Sequence, residues 1–357
     1  MKVALVHDFD ERHLFGVRHY ASRLRQALDG RCELIEVHPR PRGRSDGRPA
    51  GPLLRLFVKE VLYPLQVRRV AADVVHVIDQ SHANLIRAVT GCATVVTCHD
   101  LFPLASGSWA RRAGYRRRVA SLARATRVIA VSEATRAEVV DRLGVSSTRA
   151  VVVRNRVDEF FLSQPTAGEV ESILAELGLR EVKYVLHVGA SFPYKNLERA
   201  ILALAELGED RPLLVKAGAA LTAAQCRLAA THGVRTRALG EVDPRTLRAL
   251  YRGATALLYP SLHEGFGWPV AEALACGTPV VTSSAGGLRE VTAGAAVEVD
   301  PRNVAEIAAA IRDVTEREEL RRELSRRALA RGSELGGGDV GAEVLAVYRA
   351  AASESRT

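Results

Sequence analysis

The sequence predicts an α/β protein of two domains, each built on a parallel sheet, and three observations lead to that prediction. Its 357 residues exceed what one ordinary hydrophobic core holds. Short apolar runs alternate with longer amphipathic stretches, which is typical of parallel sheets covered by helices. A polar interruption near the middle separates two such series. Hydrophobic residues at 47% and charged residues at 25% exclude a disordered or collagen-like chain.

The N-terminal series contains six predicted strands separated by helical stretches. The strands are Val3–Val6, Glu33–Val37, Val74–Ile78, Thr94–Cys98, Val128–Val131 and Val151–Val153. Ser132 is the predicted N-cap of a helix through Arg142, because a serine hydroxyl accepts hydrogen bonds from the free amides of a first helical turn. The stretch Pro39–Gly51 is rich in Pro, Gly, Arg and Ser and is predicted to be a loop. A first Rossmann-like domain is therefore expected over residues 1–162.

The alternation restarts after the polar stretch Arg154–Gly168, which contains the expected linker. The strands of this second series are Tyr184–Val188, Leu213–Lys216, Thr236–Leu239, Ala256–Tyr259, Pro279–Thr282 and Ala296–Val299. Internal repeats of fixed period are not visible, which excludes a solenoid. A second Rossmann-like domain is expected over residues 163–357, and its last helix is a candidate to pack back on the first domain.

The sequence also bounds the compartment and the chemistry of the cysteines. No uninterrupted apolar window of about 18 residues occurs, so no bilayer-spanning helix is predicted. The N-terminus enters a strand at once and lacks the apolar core of a signal peptide, so we expect a cytoplasmic protein. Five scattered cysteines form no C-x2-C pair. Neither a disulfide framework nor a zinc site is therefore indicated.

The formal net charge of +9 lies in the N-terminal half of the chain. Residues 1–180 hold 28 Lys and Arg against 19 Asp and Glu, whereas residues 181–357 hold 22 of each. One predicted amphipathic helix carries the densest group: Arg111, Arg112, Arg116, Arg117, Arg118, Arg124 and Arg127. Such a helix contacts anionic membrane, holds an acidic acceptor or is simply a solvated face. No nucleic-acid recognition motif accompanies it, so nucleic acid is not an expected partner.

The most informative stretch is residues 263–273. It follows the apolar run Ala256–Tyr259, a predicted buried strand, and Pro269 is typical of the first residue of a helix. Ligands bind at such strand-to-helix turns in α/β proteins. The predicted turn consists of Gly265, Phe266 and Gly267.

Two glutamates eight positions apart, Glu264 and Glu272, flank this turn. The glycines let the backbone approach a ligand, and the following helix N-terminus favours an anion such as phosphate. Glu264 is expected in the turn and Glu272 in the first helical turn, where its two oxygens can accept from vicinal hydroxyls of a sugar. The alternative is that Glu264 is a surface loop residue and that Glu272 caps or solvates the helix. The combination indicates a phosphorylated, hydroxyl-rich ligand, of which a nucleotide sugar is the commonest.

Turns after other strands supply further candidates. Gly16 is predicted to start the helix Val17–Leu28 and to present backbone amides, but the G-x-G-x-x-G fingerprint of a nicotinamide enzyme is missing. His99 follows a buried strand and can hydrogen-bond a sugar hydroxyl or stabilise charge. A mere turn residue is an equally good interpretation of Gly16, and a lone histidine such as His99 is more often structural. Asp8 and Asp10 form an Asp-x-Asp pair, which we interpret as a polar loop and not as a cation site.

Lys195 lies in a loop shaped by Gly189 and Pro193, directly before a helix. Its ammonium group can pair with a diphosphate and stabilise it as a leaving group. An exposed lysine at a helix start is the alternative.

The spacing of Glu264 and Glu272 around a Gly-Phe-Gly turn resembles the E-x7-E signature of the retaining GT-B glycosyltransferases of glycosyltransferase family 4. Residues 189–197 are similar to the family's Gly-x-x-x-Pro-x-Lys-Asn stretch. The chain departs from the family in one respect, since Tyr194 and Ala190 stand where members often carry an arginine. Residues 239–242 resemble the family's loop under the nucleobase, and residues 283–290 its small-residue loop near the donor phosphates.

The resemblance implies a GT-B fold, with two Rossmann-like domains facing each other across a cleft that closes on the donor. It implies catalytic roles for Glu264 at the donor sugar, His99 opposite that sugar and Lys195 at the diphosphate, and it assigns Glu272 to the ribose hydroxyls. The other donor-binding residues that it implies are Gly16, Gly189, Asn196, Gly240, Val242, Gly265, Phe266 and Gly267. It implies no cofactor besides the donor and no metal ion.

The implied reaction is a retaining transfer of a hexosyl group from a nucleotide diphosphate sugar, either GDP-mannose-like or a UDP or dTDP sugar. The acceptor is a hydroxyl of a saccharide, a lipid-linked saccharide or a secondary metabolite. One alternative is a nucleotide-sugar 2-epimerase of the same architecture, which needs no acceptor. Another is a catalytically degenerate binding or scaffolding subunit, which the missing arginine suggests and which would bind nucleotide without turnover.

Overall fold

The computed structural model describes residues 1–8, 15–39, 57–104 and 108–355 of the chain. These residues divide into two compact units. The N-terminal unit comprises Met1–Asn155 together with Asp339–Thr357, and the C-terminal unit comprises Arg156–Gly338. The chain passes from one unit to the other inside the polar stretch in which the linker was predicted. The domain boundary after residue 162 stays a prediction.

The N-terminal unit contains a parallel sheet whose strand order is β2-β1-β3-β4-β5-β6. The strands are β1 (Lys2–Val6), β2 (Glu33–Val37), β3 (Val74–Val77), β4 (Ala93–Cys98), β5 (Arg127–Ala130) and β6 (Ala150–Val152). Each lies within one residue of its predicted bounds, because a run of apolar residues is buried on both faces of a parallel sheet.

Helices connect these strands in the described part of the N-terminal unit. They are α1 (Phe15–Leu28), α2 (Tyr63–Arg68), α3 (Trp109–Val119) and α4 (Glu133–Leu143). Val58–Leu62 forms a π-helical turn before α2, and Gln80–Ala88 forms 3₁₀ turns. The predicted cap of α4 is confirmed, since the Ser132 hydroxyl accepts from the Thr135 amide at 3.1 Å.

Two predictions about helix bounds in this unit are wrong. Helix α1 begins at Phe15, so Gly16 is its second residue and does not start it. The arginine-rich helix ends at Val119, after which Ala120–Arg124 forms a 3₁₀ turn. Arg127 opens β5 instead of closing a helix, because the apolar residues that follow it must enter the sheet.

The two faces of the N-terminal sheet are covered by separate apolar clusters. Alternate strand residues pack on one side against α2, α3 and the 3₁₀ turns, through side chains such as Tyr63 and Leu122. On the other side they pack against α1 and the last helix, α14 (Val340–Glu354), which contributes Val344 and Tyr348. The Tyr348 hydroxyl lies 2.6 Å from Nδ1 of His76, a histidine buried in β3. The last helix is therefore part of the N-terminal core.

The C-terminal unit contains a second parallel sheet, of strand order β12-β11-β10-β7-β8-β9. Its strands are β7 (Tyr184–Gly189), β8 (Leu213–Gly218), β9 (Thr236–Gly240), β10 (Ala256–Tyr259), β11 (Val280–Thr282) and β12 (Val297–Glu298). The order places β10 and β7 side by side, so the loops that follow them lie at one edge of the sheet. The predicted strand bounds agree within two residues.

The helices of the C-terminal unit cover both faces of its sheet. They are α5 (Glu159–Leu162), α6 (Glu169–Glu176), α7 (Leu197–Ala205), α8 (Ala223–Thr231), α9 (Pro244–Gly253), α10 (Trp268–Ala275), α11 (Leu288–Thr292), α12 (Val304–Glu316) and α13 (Glu318–Gly336). Helices α7 and α12 bury Ile201, Leu204 and Ile311 against the sheet. Among all the described residues, no helix has the length and apolar character needed to cross a membrane.

Candidate functional site

The predicted strand-to-helix turn lies at the carboxyl end of β10. The four residues of β10 are buried, and α10 begins at Trp268 with Gly267 as its N-cap. Gly267 has a φ of +94°, and a Cβ atom there would lie 2.5 Å from Cδ2 of Leu288, so only glycine fits. Pro269 is therefore the second residue of the helix and not the first, a displacement of one residue.

The loop after β11 supports this turn from behind. The Gly287 amide donates to the Glu264 carbonyl at 2.8 Å. A Cβ atom on Gly286, whose φ is +59°, would lie 2.2 Å from the same carbonyl oxygen. Gly286 and Gly287 belong to the loop that was predicted to lie near the donor phosphates. Because they are small, the backbone of this loop contacts the backbone of the turn after β10, and this contact fixes the position of Glu264.

The Glu264 side chain is paired with Lys195. The Lys195 ammonium donates to Oε1 of Glu264 at 2.6 Å and to the Tyr259 hydroxyl at 2.5 Å. The side chains of Lys195 and Glu264 are 11% and 10% exposed, so their charges compensate each other largely out of water. Burial, followed by the nearby Glu264 carboxylate, raises the pKa of the Tyr259 hydroxyl, which stays protonated. Two residues 69 positions apart thus form one charged pair at the edge of the sheet.

Glu272 is the fifth residue of α10, one position further along the helix than predicted and therefore just past its first turn. Its Oε2 accepts a hydrogen bond from the Tyr251 hydroxyl at 2.8 Å. Burial raises the pKa of its carboxyl to about 7, against the opposing effect of the Tyr251 hydrogen bond. Glu272 is therefore a carboxyl group whose charge changes near neutral pH.

Asn196 shapes the loop that carries Lys195. It has a left-handed backbone, and its side-chain amide donates to the carbonyls of Pro260 at 2.9 Å and Pro301 at 2.6 Å. These bonds tie the start of α7 to the end of β10. A direct contact of Asn196 with the donor stays a prediction.

Three further predicted donor-binding residues lie at or just after the carboxyl ends of strands in this unit. Gly189 ends β7 with a φ of +116°, and Gly240 ends β9 with a φ of +71°. Val242 is partly buried just before α9, whose N-cap is Asp243. Their arrangement along one sheet edge follows from the parallel direction of the strands.

Lys216 is a buried cation that the sequence reasoning missed. It lies in β8 beside His187 of β7, and its ammonium donates to the carbonyls of Gly189 and Ala217. Burial lowers its pKa to about 8, with a further contribution from the charge of Lys195. The sequence feature that could have indicated a buried cation is a single lysine inside an otherwise apolar strand. Its bonds hold the first residue of the Lys195 loop.

Two predicted residues, His99 and Gly16, belong to the N-terminal unit. The His99 ring donates from Nε2 to the Ile78 carbonyl at 2.9 Å, which leaves the lone pair of a neutral ring on Nδ1. Its backbone amide donates to Gln80, and the Tyr20 ring packs edge-on against it at 4.8 Å. Gly16 is exposed near the N-terminus of α1. The structure thus fixes the His99 ring at the end of β4.

The arginine-rich helix α3 lines an open cavity of about 560 Å³ with α4. The residues around it are Leu104, Trp109, Arg112, Ala113, Arg116, Asp141 and Arg142. Trp109 is 77% exposed, whereas Tyr115 and Val119 of the same helix are buried. The exposed residues of the helix are therefore mainly arginines together with Trp109.

Solved structures of the same architecture define the fold class of the chain. The chain superposes with a TM-score of 0.78 on a sucrose-phosphate synthase from Thermosynechococcus elongatus, with 21% identity and 98% of both chains covered. It matches HepE of Anabaena, solved in complex with UDP-glucose, with a TM-score of 0.75, 19% identity and full coverage of both chains. The two parallel α/β units have the GT-B fold of glycosyltransferases.

Family models identify the branch within that class. Residues 11–159 match the model described as Glycosyltransferase Family 4, and residues 170–331 match Glycosyl transferases group 1. The chain belongs to glycosyltransferase family 4. It is 28% identical over 289 residues to the serotype-specific mannosyltransferase WbdA of Escherichia coli. That match covers 75% of this chain but only 35% of WbdA, so the chain spans about a third of that relative's length.

Proposed function

We propose that the chain is a retaining glycosyltransferase that moves a hexosyl group from a nucleotide diphosphate sugar to a hydroxyl of an acceptor. The observation that carries the proposal is the contact between Lys195 and Glu264 at the carboxyl edge of the C-terminal sheet. One ammonium and one carboxylate there match a ligand that has both phosphate and hydroxyl groups. The relatives of the chain include a mannosyltransferase, which supports a hexosyl donor.

In the proposed reaction the bond between the anomeric carbon and the diphosphate breaks, and a bond to the acceptor oxygen forms on the same face of the sugar. The proton of the acceptor hydroxyl passes to the departing diphosphate. Lys195 neutralises charge on the departing diphosphate, together with the amides at the start of α10. Glu264 accepts from donor hydroxyls near the reacting carbon, and its negative charge favours the oxocarbenium-like transition state. Glu272 accepts from the ribose hydroxyls, and His99 acts on the donor sugar from the N-terminal unit.

In this proposal Lys195 and the N-terminus of α10 stabilise the charge of the diphosphate, which in other enzymes is the role of a metal ion. The donor is GDP-mannose-like or a UDP or dTDP sugar, since a mannosyltransferase and a complex with UDP-glucose both occur among the proteins similar to this chain. The acceptor is a saccharide, a lipid-linked saccharide or a secondary metabolite.

Thermal unfolding in the presence of GDP, UDP, dTDP and ADP tests the donor site. One nucleotide should raise the melting temperature, because a ligand that binds only the native state stabilises it. Glu272→Ala should abolish the rise, whereas Glu319→Ala, which removes an exposed helical carboxylate from the same unit, should keep it. If no nucleotide stabilises the wild-type protein, the proposed function is wrong.

An assay with and without acceptor distinguishes the transferase from its alternatives. Release of nucleotide diphosphate only when a hydroxyl acceptor is present indicates transfer. Conversion of the donor sugar without any acceptor would indicate the 2-epimerase, and binding without turnover would indicate the degenerate subunit.

A peripheral contact with anionic membrane at the inner, cytoplasmic face is the proposed role of α3. Its outer face combines an exposed tryptophan with arginines, which suits a lipid surface of negative charge. Co-sedimentation with phosphatidylserine-containing vesicles should decrease in an Arg111→Glu/Arg112→Glu variant. Equal sedimentation with neutral phosphatidylcholine vesicles would contradict this contact.

A further inference from the structure

Three side chains with metal-binding atoms converge at the carboxyl ends of β1 and β2 in the N-terminal unit. They are His7, Glu36 and His38, and one ligand atom from each lies within 4.8 Å of the other two. His7 Nε2 contacts Oε2 of Glu36, and His38 Nε2 lies 3.9 Å from the same oxygen. Among the described residues, these are the three His, Cys, Asp or Glu side chains that lie close enough together to hold a metal ion.

The pairing of the two strands brings these residues together. Val6 is the register partner of Val37 in the parallel pair of β1 and β2. The next residues, His7 and His38, therefore leave the sheet side by side, and their rings stack with centroids 4.2 Å apart. Glu36 is two positions before His38, so the alternation of a strand places both on the same face. The separations of 29 and 31 residues match no metal-binding motif, which is why the sequence did not reveal the group.

Helix α2 holds the backbone of both histidines. The buried Tyr63 hydroxyl donates to the His7 carbonyl at 2.5 Å and contacts the Val37 carbonyl at 2.9 Å. One turn later, the Gln66 side chain donates to the His38 carbonyl at 2.9 Å. The ends of β1 and β2 are thus fixed by one helix, in the way that outer-shell partners orient the ligands of metal sites.

We propose that His7, Glu36 and His38 bind a divalent transition-metal ion of the zinc type. Two imidazole nitrogens and one carboxylate oxygen are the donor set of zinc sites that keep a fourth position for water or another ligand. Around a tetrahedral zinc ion, neighbouring ligand atoms lie about 3.3 Å apart. The three ligand atoms lie within 4.8 Å of one another, and a bound ion would separate His7 from Glu36.

The charges around the group suit a single cation of charge two. Glu36 contributes a carboxylate to the group, in contact with the His7 ring. Arg25 also lies near Glu36 and opposes a cation, whereas the neighbouring Asp8 carboxylate favours one and contacts the His82 ring. A bound ion would join the ends of β1 and β2 and stabilise the N-terminal unit.

Calorimetric titration of the chelator-treated full-length chain with Zn²⁺ tests the proposal. The wild-type protein should bind one equivalent, and His7→Ala and His38→Gln should each lower the affinity at least about tenfold. His232→Ala, which removes an exposed histidine from the C-terminal unit, should bind as the wild-type protein does. Circular dichroism of each variant shows whether it is folded.

Two further measurements distinguish a built site from adventitious histidine binding. Tyr63→Phe keeps all three ligands but removes the hydroxyl that holds the strand ends, and it should weaken Zn²⁺ binding roughly 10-fold. Zn²⁺ should raise the melting temperature of the wild-type protein and leave that of a folded Glu36→Gln variant unchanged. Wild-type affinity in the folded His7→Ala and His38→Gln variants would overturn the proposal. Nucleotide binding is read separately, so this result is independent of the proposed transferase activity.

Discussion

At the scale of single residues, Lys195 and Glu264 depend on each other because each compensates a charge that is largely removed from water. Removing one partner of such a pair leaves the other uncompensated, whereas removing both does not. We expect Lys195→Met to lower the free energy of unfolding by about 2 to 3 kcal/mol. The double variant with Glu264→Gln should recover part of that loss. Urea unfolding of the wild-type protein, the two single variants and the double variant measures this recovery. Additive effects of the two substitutions on the free energy of unfolding would contradict the coupling.

The two residues of this pair should differ in their kinetic effects. Glu264→Gln should lower turnover by about 100-fold while nucleotide affinity changes little, because the carboxylate acts near the reacting carbon. Lys195→Met should weaken binding of a nucleoside diphosphate more than that of the matching monophosphate. Steady-state kinetics and calorimetry separate the two effects. Equal loss of binding in both variants would refute the division of roles.

Glu272 should make nucleotide binding depend on pH near neutrality. Its carboxyl has a pKa of about 7 in the folded protein, and ionised oxygens accept from ribose hydroxyls better than a protonated carboxyl does. Nucleotide affinity should therefore rise up to about tenfold per pH unit below pH 7 and level off above it. Glu272→Gln should show a flat profile between pH 5.5 and about 8. The same slope in that variant would assign the titration to another group.

Lys216 should leave a signature in the pH dependence of stability. Its folded pKa of about 8 is lower than its ordinary value of 10.5, so the unfolded chain binds more protons between these pH values. The free energy of unfolding should then rise with pH across that range, by on the order of 3 kcal/mol at most. The difference in urea stability between the wild-type protein and Lys216→Met isolates this contribution from other groups. A pH-independent difference would show that the ammonium is not destabilised by burial.

At the scale of elements, the loop after β11 and the turn after β10 are held together by a glycine contact. Gly286→Ala would place a methyl group against the Glu264 carbonyl and would strain a backbone of positive φ. We expect a loss of about 2 kcal/mol of stability and weaker nucleotide binding. The matched control is Gly294→Ala, which has a φ of +84° but open space around its Cβ position. The same nucleotide affinity in both variants would show that the turn does not depend on this contact.

At the scale of the whole molecule, the last helix completes the core of the N-terminal unit. Removing residues 339–357 would expose the apolar surface that Val344 and Tyr348 cover and would leave His76 without its Tyr348 partner. The truncated chain should lose the N-terminal unit to limited proteolysis, while a fragment close to residues 156–338 persists. Two-phase thermal unfolding should accompany this loss. Wild-type protease resistance of the N-terminal unit would contradict the role of α14.

The elements of the fold could be predicted because their signals are local. Apolar runs such as Ala256–Tyr259 are strands wherever both faces are buried, and glycine and proline mark the turn that follows. The bounds that were wrong lie where tertiary packing competes with helix propensity. Gly16 and Pro269 fall one position into their helices, and Arg127 is drawn into a strand by the apolar residues after it.

The sequence by itself determined the strand and helix pattern, the glycine turn between Glu264 and Glu272, and the resemblance that the family models confirmed. Only the tertiary structure decided which distant side chains meet. The order of the C-terminal sheet sets β10 beside β7 and so brings Lys195 to Glu264. The order of the N-terminal sheet sets β1 beside β2 and so brings His7 to Glu36 and His38. The physical reason is that a local pattern fixes the conformation of a segment, whereas charge compensation and ligand convergence depend on the order in which strands pair.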